Sequence, residues 1–291
     1  MASQAGAVGD ILLTPKSGNL PTVAQLSSYM QHLFPLRDGD TPFAYHIPHS
    51  NRFDVHSNQV SHAVVSITPT PGFYAAISSS SSGTPLAFLH RPWLLDRGRI
   101  PRRTTILSCH KGFDEVLTVG NNVALASTLG LDLDRSSVIR GYKGVPERAI
   151  GVVGPVSEAS RKEFLELVKP EFPSIEAAFG FENNERSDVH QVVKAVAIMN
   201  AFHPEEVQRV SALASDLGLI PSAEECDGIV YLTGAEREQG LQAAVQKHMA
   251  VVCVGHRACE EWGIKYLADI LRREWPSIHV DVILEAEDQQ L

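Results

Sequence analysis

No apolar run in this 291-residue chain exceeds strand length. The longest, such as Met249 to Val254, fall far short of the roughly 20 residues that a bilayer-spanning helix needs. The N-terminal stretch "MASQAGAVGD" has neither the basic start nor the apolar centre of a signal peptide, so the expected location is the cytoplasm, with the nucleus as the other compartment open to it. Cysteine is scarce. Cys109, Cys226, Cys253 and Cys259 make no Cys-x-x-Cys or zinc-finger spacing, which excludes a disulfide framework and leaves buried free thiols as the expectation. There is no excess of positive charge either. A formal net charge of −9, with 12 histidines counted as neutral, argues against non-specific binding to nucleic acid. Glycine motifs that cradle phosphates are missing: "IGVVGPV" has neither the phosphate-loop lysine nor the dinucleotide fingerprint.

What is present is a globular composition, 44% hydrophobic, sufficient for a large core in one or two domains. Apolar runs read as strands at 62–68, 86–90, 104–110, 192–199, 228–234 and 250–255. Between them, helical periodicity predicts helices over 21–33, from Asp114 through "NNVALASTLGL", in "SEASRKEFLELVKPEF", over 204–218, over 235–247 and after Gly255. The serine run 78–82 is expected to be a surface loop without function. Alternating strands and helices predict an α/β fold with mixed, largely parallel sheets flanked by helices. The expected division is a first unit over 1–145 and a second over 146–291, with the C-terminal helix able to pack back on the first.

At the end of "VVCVG", His256 and Glu260 stand four residues apart at the start of a helix. Taken alone they are a solvated pair worth a few tenths of a kcal/mol. The chain repeats the arrangement, however. "TTILSCHKGFDEVL" aligns with "MAVVCVGHRACEEWG" so that His110 and Asp114 answer to His256 and Glu260, each after a strand and before a helix. Packing alone requires no imidazole and acid at both turns. His90, His110 and His256 all sit at the carboxyl edge of their predicted strands, where open α/β sheets bind ligands. If the two units face each other, these residues converge on a cleft with Asp114 and Glu260. Imidazoles mixed with carboxylates suit zinc, iron, manganese or cobalt.

Five arginines, Arg91, Arg97, Arg99, Arg102 and Arg103, occupy the loop leaving His90. They make either a solvated surface or an electropositive rim for phosphorylated compounds. His46, His49 and His56 read as surface histidines. Cys109 and Cys259 flank the candidate ligands and read as packing residues beside them rather than nucleophiles.

The pieces "LHRP" at 89–92, "SCHKGFDEVLTVGNNVALASTLGL" at 108–131, "GVVGPV" and "GHRACEEWGIKYLADIL" at 255–271 resemble, in this order, the Nif-three-like family, whose bacterial members are often called GTP cyclohydrolase type 2 homologues. The resemblance implies a two-domain α/β fold, ring-shaped homo-oligomers and a dinuclear metal site between the domains, of which this chain is expected to hold one or two divalent ions. Carried over residue by residue, it implies His90, Asp114, His256 and Glu260 as metal ligands. The second histidine of the family's first pair falls on Arg91, which stays protonated and cannot donate a lone pair to a metal. Arg91 is therefore a candidate for a substrate phosphate. The family's Thr-Gly-Glu segment reads "TGAE" at 233–236. GTP ring opening, which the family name suggests, is not carried over.

Two functions follow as expectations. One is a metal-dependent hydrolase of a nucleotide or other phosphorylated compound, with His110 as the catalytic candidate that orients a ligand or shuttles a proton. The other is a non-catalytic regulatory protein with a protein partner, since the resemblance extends to a family named for binding a transcriptional adaptor. Neither involves a membrane.

Overall fold

The computed structural model describes residues 19–35, 37–50, 53–79, 83–181 and 192–285. Residues 80–82 of the serine run lie outside the described residues. The chain divides into two compact units, one formed by 1–113 with 263–291 and the other by 114–262.

The first unit begins with α1 (Val23–Leu33). Thr22 closes a capping box with Gln25 at its start, so two of the amides that a helix start leaves over find acceptors. There follow β1 (Ala44–His46), β2 (His62–Ser66), α2 (Pro71–Ser79), β3 (Pro85–Leu89), β4 (Thr105–Ser108) and α3 (Lys111–Val116). The division falls inside α3, so Asp114 continues directly from the first unit's last strand and helix start.

The second unit contains α4 (Val123–Thr128), β5 (Ser137–Tyr142), β6 (Val145–Ser160), α5 (Arg161–Val168), β7 (Ala177–Phe179), β8 (Val192–Met199), α6 (Pro204–Asp216), β9 (Ile229–Thr233), α7 (Glu238–Gln246), β10 (Ala250–Cys253) and the start of α8 (His256–Glu274). The chain then re-enters the first unit for the rest of α8 and for β11 (His279–Ile283).

The fold is mixed α/β. Sheet one runs β1-β4-β3-β2-β11 and is parallel except for the edge strand β1. Sheet two runs β5-β6-β8-β9-β10-β7, with β8, β9 and β10 parallel and the remaining pairings antiparallel. In sheet one every residue of β2, β3 and β4 is buried, as expected of parallel strands covered on both faces. Val64, Ala87, Leu89 and Ile106 face α2 through Phe73, Tyr74 and Ile77. On the opposite face Phe88 stacks with Phe34 and Phe113 at centroid distances of 5.6 and 5.7 Å. In sheet two Ala197, Tyr231 and Val251 pack against Val207 and Val210 of α6 and Ala244 of α7. Each fully buried Val, Leu, Ile or Phe of these layers contributes roughly 1.5–3 kcal/mol.

The boundary expected at 145/146 is displaced for a physical reason. β5 pairs with β6 on the other side of that point, and β11 adds to β2 in parallel register from His279↔His62 to Ile283↔Ser66. A strand belongs to the unit whose ladder it completes. The helix expected to run on from Asp114 through residue 131 is also two helices, α3 and α4. Gly120 turns so tightly that a Cβ there would meet the Glu115 carbonyl oxygen at 2.6 Å, and Asn122 restarts the helix by capping the Leu125 amide at 2.9 Å.

Candidate metal centre

His90 follows β3 and is fully buried. Its Nδ1 lies 3.2 Å from the Cys109 carbonyl oxygen. A carbonyl can only accept, so the proton sits on Nδ1 and a neutral His90 presents a lone pair at Nε2. That Nε2 is 3.3 Å from Nδ1 of His110, and the two rings lie 4.7 Å apart. Phe113 stacks at 4.5 Å from the His90 ring, and Trp93 meets the His110 ring edge-on at 5.0 Å. One helical turn after His110, Asp114 adds a carboxylate. Ligand atoms of His90, His110 and Asp114 all lie within 4.8 Å of one another. A backbone carbonyl that fixes the tautomer of a buried imidazole is the outer-shell support typical of metal-ligating histidine.

His110 owes its position to a residue the sequence did not single out. Asp40 reaches the turn between β4 and α3 and accepts from the backbone amides of His110, Lys111 and Gly112 at 3.0, 3.1 and 3.2 Å, and from Thr41 at 2.7 Å. It thus caps α3 from a distant loop. Burial pushes the Asp40 carboxyl up, yet the four amide donors outweigh it and hold its pKa below the ordinary value. A cavity of about 280 Å³ borders Asp40 and Cys109.

The second copy of the motif is built alike in the other unit. β10 ends at Cys253, Gly255 makes the turn and α8 starts at His256. Gly255 has φ +97°, and a Cβ there would stand 2.9 Å from Glu176 Oε1; only glycine accepts both conditions. Gly234 in "TGAE" lets the end of β9 approach α8, since its Cβ would lie 3.2 Å from Cys259 Sγ and 3.6 Å from His256 Cα. His256 Nε2 is 3.3 Å from Glu260 Oε1, with the imidazole exposed and the carboxylate buried. Glu176, also overlooked in the sequence, donates its backbone amide to the Cys253 carbonyl at 2.9 Å and places a further carboxylate at this turn.

The sequence-predicted residues thus stand in two sets: His90, His110 and Asp114, and His256 with Glu260. His110 joins the first set as a second imidazole, a place that the resemblance gave to position 91. The Arg91 amide donates to the Ile67 carbonyl at 2.7 Å, extending the ladder beyond β3. The arginine loop is open to solvent at Arg97, Arg99, Arg102 and Arg103. Arg99 stacks 3.9 Å above the Tyr74 ring, Arg97 bonds the Tyr45 carbonyl, and Arg103 bonds Asn58. Arg102 and Arg103 also line a cavity of about 750 Å³ with the half-buried His46 and the exposed His49. Burial, then the charges of Arg97 and His49, lower the pKa of His46.

All four cysteines are buried free thiols. Burial, then the Asp40 charge, pushes the Cys109 thiol up to about 12. Cys259 is driven higher by burial, then by Glu260, Glu176 and Asp114. Neither is a nucleophile near neutral pH, because the reactive form is the thiolate. Among the described residues no helix is long and apolar enough to cross a membrane.

Solved structures share this fold. A protein described as ybgI, of unknown function, superposes with a TM-score of 0.59 at 15% identity, over 90% of this chain and 98% of its own. Reduced HcgD from Methanocaldococcus jannaschii does so with a TM-score of 0.59 at 16% identity, over 92% and 99%. A Bacillus cereus protein related to NIF3 gives 0.56 at 13% identity, over 91% and 97%. No curated protein matches the chain significantly. The family model described as Duf34/NIF3 (NGG1p interacting factor 3) matches residues 99–290, about two thirds of the sequence, and the chain therefore belongs to the Duf34/NIF3 family.

Proposed function

We propose that this protein binds one or two divalent ions, zinc, iron, manganese or cobalt, and uses them to hydrolyse a nucleotide or other phosphorylated compound. The observation that carries the reading is the first set: two imidazoles and a carboxylate with ligand atoms within 4.8 Å, one imidazole buried with its Nε2 lone pair fixed by the Cys109 carbonyl. His90, His110 and Asp114 would hold an ion, and His256 and Glu260 are proposed as further ligands. Such donors fit borderline divalent metals. Bound there, the ion supplies Lewis acidity, which polarises a phosphoryl oxygen and acidifies water. The chain's own residues do the rest. Asp40 fixes the turn that carries His110, and Phe113 and Trp93 confine the two rings. The ring nitrogen of His110 that does not bind the ion keeps its proton and, on this only partly buried side chain, is placed to orient a substrate oxygen. Arg102 and Arg103 line a cavity of about 750 Å³, within the range of small-molecule sites, and are fixed positive charges that would attract an anionic substrate. Arg91 is a candidate for a substrate phosphate.

Metal analysis of wild type against His256→Ala and His110→Ala tests the assignment. About one or more ions per chain, lost in either variant, supports it, and phosphoesters and nucleotides are then screened for hydrolysis. A metal-free wild type after incubation with zinc, manganese or iron(II) sinks it. A second reading, a regulatory protein with a structural metal and a protein partner, draws on Arg91 at a position where the resemblance expects histidine. On either reading we propose a homo-oligomer in the cytoplasm or nucleus; light scattering tests the assembly.

A further inference from the structure

A second group of metal-ligating side chains lies at the opposite edge of sheet one and plays no part in the reading above. His62 is the first residue of β2, and His279 is the first residue of β11. The parallel register pairs them directly. Asp281 is two residues beyond His279, so the strand's period of two returns it to the same face. Its carboxylate accepts from both imidazoles, Oδ2 from His62 Nε2 and Oδ1 from His279 Nε2, each at 2.8 Å. The rings stand 5.3 Å apart, and the ligand atoms of all three residues lie within 4.8 Å of one another.

We propose that His62, His279 and Asp281 form a second metal site, selective for borderline divalent ions such as zinc, cobalt(II) or nickel(II). Four features carry it. Two nitrogens and one carboxylate oxygen are the donor set these ions prefer over magnesium or calcium. The donors sit on hydrogen-bonded neighbouring strands rather than on loops, so their separation is held by the ladder. The local charge suits a cation, since a carboxylate faces both imidazoles. Access is also provided: the His62 side chain is 9% exposed and anchors the group, while that of His279 is 72% exposed and leaves positions open to water. A bound ion would take the place of the two Nε2 protons, each ring carrying its proton on Nδ1, so that both Nε2 lone pairs face the ion.

The site is independent of the one at His90. His62 pairs with Pro85, and His90 lies five residues further along β3, roughly 16 Å at 3.3 Å per residue. No ligand is common to the two.

The test is zinc titration by calorimetry, with cobalt(II) absorption as the spectroscopic readout, on the full chain. Wild type is compared with His279→Gln and Asp281→Asn, both at positions open enough to solvent to preserve the fold, as circular dichroism would verify. Each variant is expected to bind about one zinc equivalent fewer than wild type and to lose the matching cobalt bands. His256→Ala is expected to retain this equivalent, whatever it does to the site proposed above. If both variants bind as much zinc as wild type, with unchanged cobalt spectra, the group is a hydrogen-bonded surface cluster only and the proposal is overturned.

Discussion

Replacing Asp40 by alanine removes one carboxylate that serves four backbone amides, three of them at the first turn of α3. Loss of a helix cap costs about 0.5–2 kcal/mol, and an ionised acceptor lies toward the strong end of such bonds. We expect a loss of about 2 kcal/mol at pH 7, which for a unit of this size lowers the melting midpoint by about 4–8 °C. An asparagine at this position would keep one acceptor oxygen and lose the charge, so Asp40→Asn is expected to fall between wild type and Asp40→Ala. The pH dependence gives the sharper reading. A carboxyl whose pKa is held low in the fold contributes stability that is fully present above its unfolded pKa of about 3.9 and is lost as pH falls through the folded value. Urea unfolding at pH 7 and at steps below pH 4 should therefore show the gap between wild type and Asp40→Ala closing in the acid range. A gap below about 0.5 kcal/mol at pH 7, or one that does not change in acid, would refute the view that Asp40 holds the turn carrying His110.

Gly255→Ala should destabilise the second unit by about 1–3 kcal/mol, because it sets a Cβ at φ +97° and 2.9 Å from a carboxylate oxygen; a stability equal to wild type in urea would contradict this. The buried thiols, with Cys226 raised to about 11 and Cys109 and Cys253 to about 12 chiefly by burial, should resist thiol reagents at pH 8 in the native protein and react once guanidinium unfolds it. Rapid native labelling of Cys109 would show that its pocket opens. Arg91→His should raise metal stoichiometry and any hydrolase activity together if the position is a lapsed ligand; unchanged values would give Arg91 a role of its own.

Much of this architecture was legible in the sequence, and the exceptions have physical causes. β2, β3, β4, β8, β9 and β10 announce themselves because strands buried on both faces are continuous apolar runs between turns. The β5–β6 hairpin carries no local strand signal. β6 carries Pro146, Gly151, Gly154 and Pro155, which read locally as breaks, and it is pairing with β5 and β8 that makes it a strand. β11 reads as a C-terminal tail until β2, more than two hundred residues earlier, supplies its ladder. At the site, the repeated His-x3-acid spacing pointed to His110, Asp114, His256 and Glu260. The 3.3 Å approach of His110 to His90 comes from two strands lying side by side and has no trace in local spacing. Asp40 and Glu176 lie in irregular segments without motif, and only the folded chain shows which amides and turns they serve.

His90, His110 and Asp114 are proposed to hold a divalent ion. Elemental analysis of untagged wild type beside His110→Ala tests it most directly. Wild type should carry about one or more ions per chain and the variant clearly fewer, with the fold retained. Equal metal content in both proteins, or none in either after incubation with zinc, manganese or iron(II), would contradict it.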